Sequence, residues 1–181
     1  MKKFVTLTET NAHFSWDIPT YYNIGVDICD RHAIKTPDHI AIIDVASDGS
    51  STDCSFGRLR DLSNQLANAL SANTIQGDRV AVLLPQCVET AAAHIAITKM
   101  GCISLPLFTL FGPEALLHRL KDSSARVIIT NAASAKILAD LRTDLPDLEQ
   151  VLSIDGPSPH AQDMHSLCAT QSTIFTPVKT K

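Results

Sequence analysis

The chain has 181 residues, a length that suits one compact domain, and 45% of them are hydrophobic, too many for a disordered segment. Its formal net charge is −4, which argues against a nucleic-acid-binding surface with its basic bias. The five cysteines are odd in number and form no CxxC pair, so they read as free thiols in a reducing, cytoplasmic setting.

The start carries Lys2 and Lys3, but only five residues separate them from Glu9, too few for the apolar region of a signal peptide. Residues 1–23 show no clean periodicity. They read as an arm that packs onto something through Phe14, Trp16, Tyr21 and Tyr22, since such clusters usually serve burial more than ligand binding. Ile24, Ile28, His32 and Ala33 share one face of a helix over 24–36, which Thr36-Pro37-Asp38 ends because the residue before proline avoids the helical region. The β-branched run 40–45, a turn at Ser47-Asp48-Gly49-Ser50 and residues 52–56 predict a hairpin. Ser55 is placed to cap a helix in which Leu59, Leu62, Leu66 and Leu70 recur every three or four residues, with Asn64, Gln65 and Asn68 on its wet side.

A different rhythm begins at Arg79. Residues 80–84 form a continuous apolar strand of the kind buried on both faces. An Ala-rich helix over 88–100 follows, then a strand at 102–107, which lies in an uncharged stretch too short to span a bilayer. Next come a helix over 113–122 with Pro113 at its first position and a strand at 127–130. A helix capped by Asn131 runs to about Arg142, and a strand occupies 149–154. Apolar strands alternating with helices imply βαβ crossovers. The expected fold is therefore α/β: a Rossmann-like parallel sheet flanked by helices, with an N-terminal hairpin and helix region. The expected division is an arm at 1–23, the α/β subdomain at 24–156 and a loop or tail at 157–181.

Such sheets often bind nucleotides, yet the parts needed for that are missing. No two of the seven glycines lie within two residues of each other, and the loop after 80–84 reads Pro85-Gln86-Cys87. There is no phosphate loop of the G-x-x-x-x-G-K-S/T type and no G-x-S-x-G elbow. Ser123-Ser124 beside His118 reads as a helix end and turn, and His94 as a packed histidine. Glu89 and Glu114 sit in first turns, where an acid opposes the helix dipole. Cys29 and His32 could hold only half of a metal site, and no partner pair follows. No catalytic residue and no metal ligand is assigned.

Gly77-Asp78-Arg79-Val80-Ala81-Val82-Leu83-Leu84-Pro85-Gln86 is similar to a segment of the adenylate-forming, AMP-binding superfamily. The surrounding pieces occur in that family's order. They are Asp30-Arg31-His32-Ala33 with Thr36-Pro37-Asp38, Ser55-Phe56-Gly57-Arg58-Leu59, Lys99-Met100-Gly101-Cys102, Leu105-Pro106-Leu107-Phe108, and Phe111-Gly112-Pro113-Glu114-Ala115-Leu116. The resemblance spans roughly residues 21–154 and is nearest to bacterial short- or medium-chain acyl-CoA synthetases.

The resemblance implies a two-step reaction in the complete enzyme. A carboxylic acid attacks the α-phosphate of Mg-ATP to give an acyl-adenylate and pyrophosphate, and the thiol of coenzyme A then displaces AMP. It also implies that the phosphate loop, acyl pocket and catalytic lysine lie downstream, with Phe175-Thr176-Pro177-Val178 as the approach to that loop. On this reading the chain is an N-terminal fragment, inactive alone and without cofactors of its own, whose partner is the remaining C-terminal part. A free-standing module or half of a split synthetase is the alternative. Acetyl-activating members place coenzyme A contacts just after the strand matching 127–130. Here Lys136 is the one cation available, as a loose substitute for their arginines, and a surface lysine is the plain alternative. A cut subdomain is also expected to expose apolar surface and to self-associate.

Overall fold

In a computed structural model, the described residues are 6–46 and 48–181; the Lys2-Lys3 start and Ser47 of the expected turn lie outside them. A short helix α1 (Leu7–His13) opens the fold. Phe14 and Trp16 meet edge-on at 4.9 Å but remain 56% and 79% exposed. The expected burial of the arm is therefore not met by these two rings, which cover each other and not the core.

The next helix begins as a π turn (Val26–Asp30) and continues directly as α2 (Arg31–Lys35). Strands β1 (Ile40–Val45) and β2 (Ser51–Ser55) pair antiparallel as the expected hairpin. Helix α3 (Phe56–Leu70) follows, its start capped by the Ser55 hydroxyl, which accepts a hydrogen bond from the amide of Arg58 at 3.3 Å.

The main body is a parallel sheet of β3 (Arg79–Leu83), β4 (Ile103–Pro106), β5 (Val127–Thr130), β6 (Gln150–Ser153) and β7 (Gln162–Asp163). The order across the sheet is β4-β3-β5-β6-β7. Between them run α4 (Val88–Lys99), α5 (Pro113–Ser123) and α6 (Ala132–Leu141), and α7 (Met164–Ala169) follows β7.

The strand pleat explains the apolar runs. Val80 and Val82 of β3 and Val127 and Ile129 of β5 face α3, α4 and α7, where they pack with Leu66, Leu70, Ala96 and Met164. Ala81, Leu83 and Ile128 point the other way, onto Leu116, Leu120 and Leu138 of α5 and α6. Both faces are thus closed, and each large aliphatic side chain contributes about 1.5–3 kcal/mol of burial. A third, smaller cluster of Cys29, Cys54, Leu59, Ala92 and Ile95 seats the hairpin against α3 and α4.

Two helix ends have the same closing geometry. After α4, Gly101 adopts φ 69° while Cys102 N–H donates to the Ile97 carbonyl at 3.0 Å. After α5, Ser124 takes the left-handed position at φ 48° and Ala125 N–H donates to the Leu120 carbonyl at 3.1 Å. Strand β4 is an outer edge. Ile103 donates to the Asp78 carbonyl just before β3 and Leu107 to that of Val82, so the amide positions of Ser104 and Pro106 face outward, and proline has no N–H to offer a further strand.

Beyond Gly156 the expected loop contains β7 and α7, and residues after 170 are tied down in extended form. The tie is made by side chains expected on the wet side of α3. Gln65 donates to the Gln171 carbonyl at 3.3 Å and Asn64 to that of Thr173 at 2.9 Å. Asn68 donates to the carbonyls of Ser172 at 2.8 Å and Ile174 at 2.9 Å. Asn64 is only 6% exposed. Phe175 packs onto the core beside these contacts. Further along, Val178 N–H donates to the Lys99 carbonyl at 2.8 Å, and the backbones of Tyr22 and Thr180 pair at 2.9 Å. Residues 171–180 thus form a strap across α3 and the end of α4.

Candidate functional site

In an open parallel sheet, ligands gather outside the carboxyl ends of the strands, at the point where the order reverses. Here the chain passes from β3 outward to β4 and then back across to β5, so that point lies between β3 and β5. It is formed by the loop Pro85-Gln86-Cys87 and by Thr130-Asn131. Thr130 closes it by donating its hydroxyl to the Leu83 carbonyl at 3.1 Å.

The start of α6 projects from this crevice, and two of its free amides are already engaged. Asn131 Oδ1 accepts from Ser134 N–H at 2.8 Å, and Asp155 Oδ2 accepts from Ala132 N–H at 2.9 Å. The Asp155 carboxylate stands where an anion would profit from the helix dipole, so these residues do not fit a phosphate. Cys87 at the start of α4 turns its sulfur to Thr90 Oγ1 at 3.2 Å, and Thr90 in turn donates to the Pro85 carbonyl at 2.6 Å.

The remaining chemical side chains are dispersed. His94 Nδ1 lies 2.7 Å from Ser104 Oγ, a half-buried pair with no acid bonded to the second ring nitrogen among the described residues. Burial holds the His94 imidazole below its ordinary value, which favours the neutral ring. Ser123 donates to the Leu120 carbonyl of its own helix at 3.2 Å, not to His118. Glu89 meets His165 at 3.5 Å. His32 stacks on Phe56 at 4.9 Å while Cys29 is fully buried, so this pair does not converge. Burial pushes the Cys29 thiol up to about 11. Among the described residues, no group of three His, Cys, Asp or Glu is arranged to hold a metal.

Lys136 lies in the second turn of α6, exposed, and its ammonium makes no hydrogen bond or ion pair among the described residues.

A groove of about 680 Å³ lies between the Val26–Asp30 turn with α2 on one side and the strap on the other, lined by Tyr21, Val26, Asp30, Ile34, Pro177 and Val178. On its rim Tyr22 Oη donates to Asp27 at 2.8 Å, and Asp27 pairs with Arg31 at 2.6 Å.

Behind the groove is a cluster that sequence reasoning missed. Lys99 has no solvent exposure, and its Nζ donates to Asn64 Oδ1 at 2.7 Å and Ser63 Oγ at 2.9 Å. Asp30 Oδ1 lies 2.5 Å away, in an ion pair. In the fold, Ala91, His94 and Thr98 belong to the partly exposed stripe of α4 and Lys99 falls outside it.

The comparisons with known proteins agree with this architecture. A family model described as "AMP-binding enzyme" matches residues 29–177. Acetyl-coenzyme A synthetase of Magnetococcus marinus is 34% identical over 122 residues, covering 66% of this chain and 19% of that protein. The human mitochondrial acyl-coenzyme A synthetase ACSM3 is 31% identical over 188 residues, covering 94% of this chain and 32% of that protein. Among solved structures, an acyl-CoA synthetase of Brucella canis superposes with a TM-score of 0.81 at 30% identity, over 98% of this chain and 32% of that one. The chain therefore spans a third or less of these relatives. With a family match over most of its length and a sheet that superposes on a synthetase domain, this chain belongs to the AMP-binding enzyme family, among the acyl- and acetyl-CoA synthetases.

Proposed function

We propose that this chain is the N-terminal subdomain of an AMP-forming acyl-CoA synthetase. It supplies scaffold, with an arm at 1–23, the subdomain at 24–156 and the tail at 157–181, and does not activate a carboxylate by itself. Mg-ATP, the carboxylic acid and coenzyme A belong to the complete protein, where they supply the adenylate and thioester chemistry.

The observation that carries this reading is the engaged start of α6. The Ala132 and Ser134 amides at the sheet's carboxyl end are taken by the Asp155 carboxylate and by Asn131, which supports nucleotide phosphates being held elsewhere in the complete protein. Lys136 is the contact assigned to coenzyme A in this part, from its place just after β5. A cytoplasmic setting goes with the free thiols, and no described helix is long and apolar enough to cross a membrane.

Calorimetric titration of the chain with Mg-ATP, and then with a non-hydrolysable acyl-adenylate analogue, tests the proposal. The expected result is no binding of either. Micromolar binding of either one overturns the reading and favours a self-sufficient nucleotide-binding module.

A further inference from the structure

A lysine ammonium can only donate hydrogen bonds, and a side-chain amide has one accepting and one donating end. Lys99 therefore dictates which way Asn64 points. With Oδ1 committed to the ammonium at 2.7 Å, the Nδ2 end must face outward, where it donates to the Thr173 carbonyl at 2.9 Å. With the amide reversed, Asn64 would set one oxygen against another at Thr173. The ammonium is in turn held by Asp30, 2.5 Å away at the end of the Val26–Asp30 turn. The main chain adds a parallel link, since the Lys99 carbonyl accepts from Val178 N–H at 2.8 Å and from Asn23 Nδ2 at 3.2 Å.

We propose that Lys99 is a positioning residue that couples the Val26–Lys35 helix to the strap, through the sequence Asp30, Lys99, Asn64, Thr173. The two walls of the 680 Å³ groove are the two ends of this relay: Asp30 stands on one, and the strap that Asn64 holds forms the other with Pro177 and Val178. A change in the seating of the helix is thereby passed to the path on which the chain leaves the domain, more than 140 residues later in sequence. The centre of the relay, Lys99 with Ser63 and Asn64, is buried, which keeps water from substituting for a lost partner there. The coupling is a property of this chain, whether or not it serves thioester formation.

The test is backbone ¹⁵N relaxation on the full chain and on three variants, Lys99→Met, Asp30→Asn and Asn64→Asp. In the parent chain residues 173–178 are expected to show order parameters of about 0.85, like a rigid backbone. In Lys99→Met and Asp30→Asn those of the strap are expected to fall below about 0.6, while Val80 to Leu83 in β3 keep their values. Asn64→Asp keeps an acceptor for Lys99 and loses the donor, so it is expected to free residues 173–174 and leave 26–35 ordered. Should Lys99→Met fail to fold, the other two variants carry the test. Asp30→Asn loosening only residues 26–35, or a strap that stays rigid in it, overturns the coupling. Equal loss of order in strap and sheet also overturns it, because Lys99 would then support only overall stability.

Discussion

The ammonium of Lys99 sits 2.5 Å from Asp30 Oδ1 at zero solvent exposure, a full charge pair inside a domain of 181 residues. Burying two charges costs several kcal/mol each, and the pair is tolerable because the ammonium also reaches Ser63 and Asn64.

Removing one partner strands the other. Lys99→Met is expected to cost about 3–5 kcal/mol of unfolding free energy. The double variant Lys99→Met with Asp30→Leu is expected to recover most of that loss, since no charge is then left buried. Urea denaturation of the parent, the single and the double variants measures both terms. A double variant as unstable as the single one would contradict the charge argument.

Ser124 holds a left-handed conformation, φ 48°, at the end of α5, where glycine pays no steric cost. Ser124→Gly is expected to raise stability by about 1 kcal/mol, or roughly 2–4 °C in Tm. Its side chain makes no described hydrogen bond, so little is lost in exchange. Differential scanning calorimetry decides the sign.

His94 supplies a pH dependence. Its folded pKa is depressed by burial below the ordinary 6.5, so the unfolded chain binds this proton more readily than the folded one. The contribution to stability is present above about pH 6.5 and is lost as the pH falls through and below that value. Its other neighbour in the site is the hydroxyl of Ser104, which bears no charge. His94→Gln is expected to flatten the stability curve between about pH 5 and 7 while leaving the alkaline side unchanged. A curve of unaltered shape in the variant would show that other groups carry the acid limb.

Self-association is expected to run through apolar side chains. Tyr21 is 52% and Ile34 76% exposed beside the groove. Sedimentation velocity over a hundredfold concentration range should show reversible dimer in the parent chain and monomer in Ile34→Asp. A parent chain that stays monomeric throughout removes the expectation.

Much of the fold was legible because the strands of the sheet carry its pattern themselves. Val80, Ala81, Val82 and Leu83 are apolar in succession since alternate members meet different helix layers. Pro113 and Asn131 mark helix starts by chemistry that needs no tertiary context. Lys99 was not legible, because a charged residue in a last turn satisfies the helix dipole as well as it satisfies a buried partner 69 residues earlier. Asn64, Gln65 and Asn68 misled for a related reason: a polar helix face looks the same whether it meets water or main-chain carbonyls. Strand β7, with two residues, is too short to leave a pattern. For the site, the absence of a glycine loop after residue 84 was readable, whereas the carboxylate that occupies the start of α6 comes from Asp155, beyond a different strand.

The strap also divides the freedom to mutate unequally between its two sides. The amides of α3 reach residues 171–174 through carbonyl oxygens, which all twenty amino acids possess. A library randomised at those four positions should return most residues other than proline at 171 and 174, where the amides donate to the Cys168 carbonyl and the Ser172 hydroxyl. The same library at positions 64, 65 and 68 should return little beyond amides. The information that fixes the course of the segment is thus written a hundred residues upstream of it, in the helix that reads it.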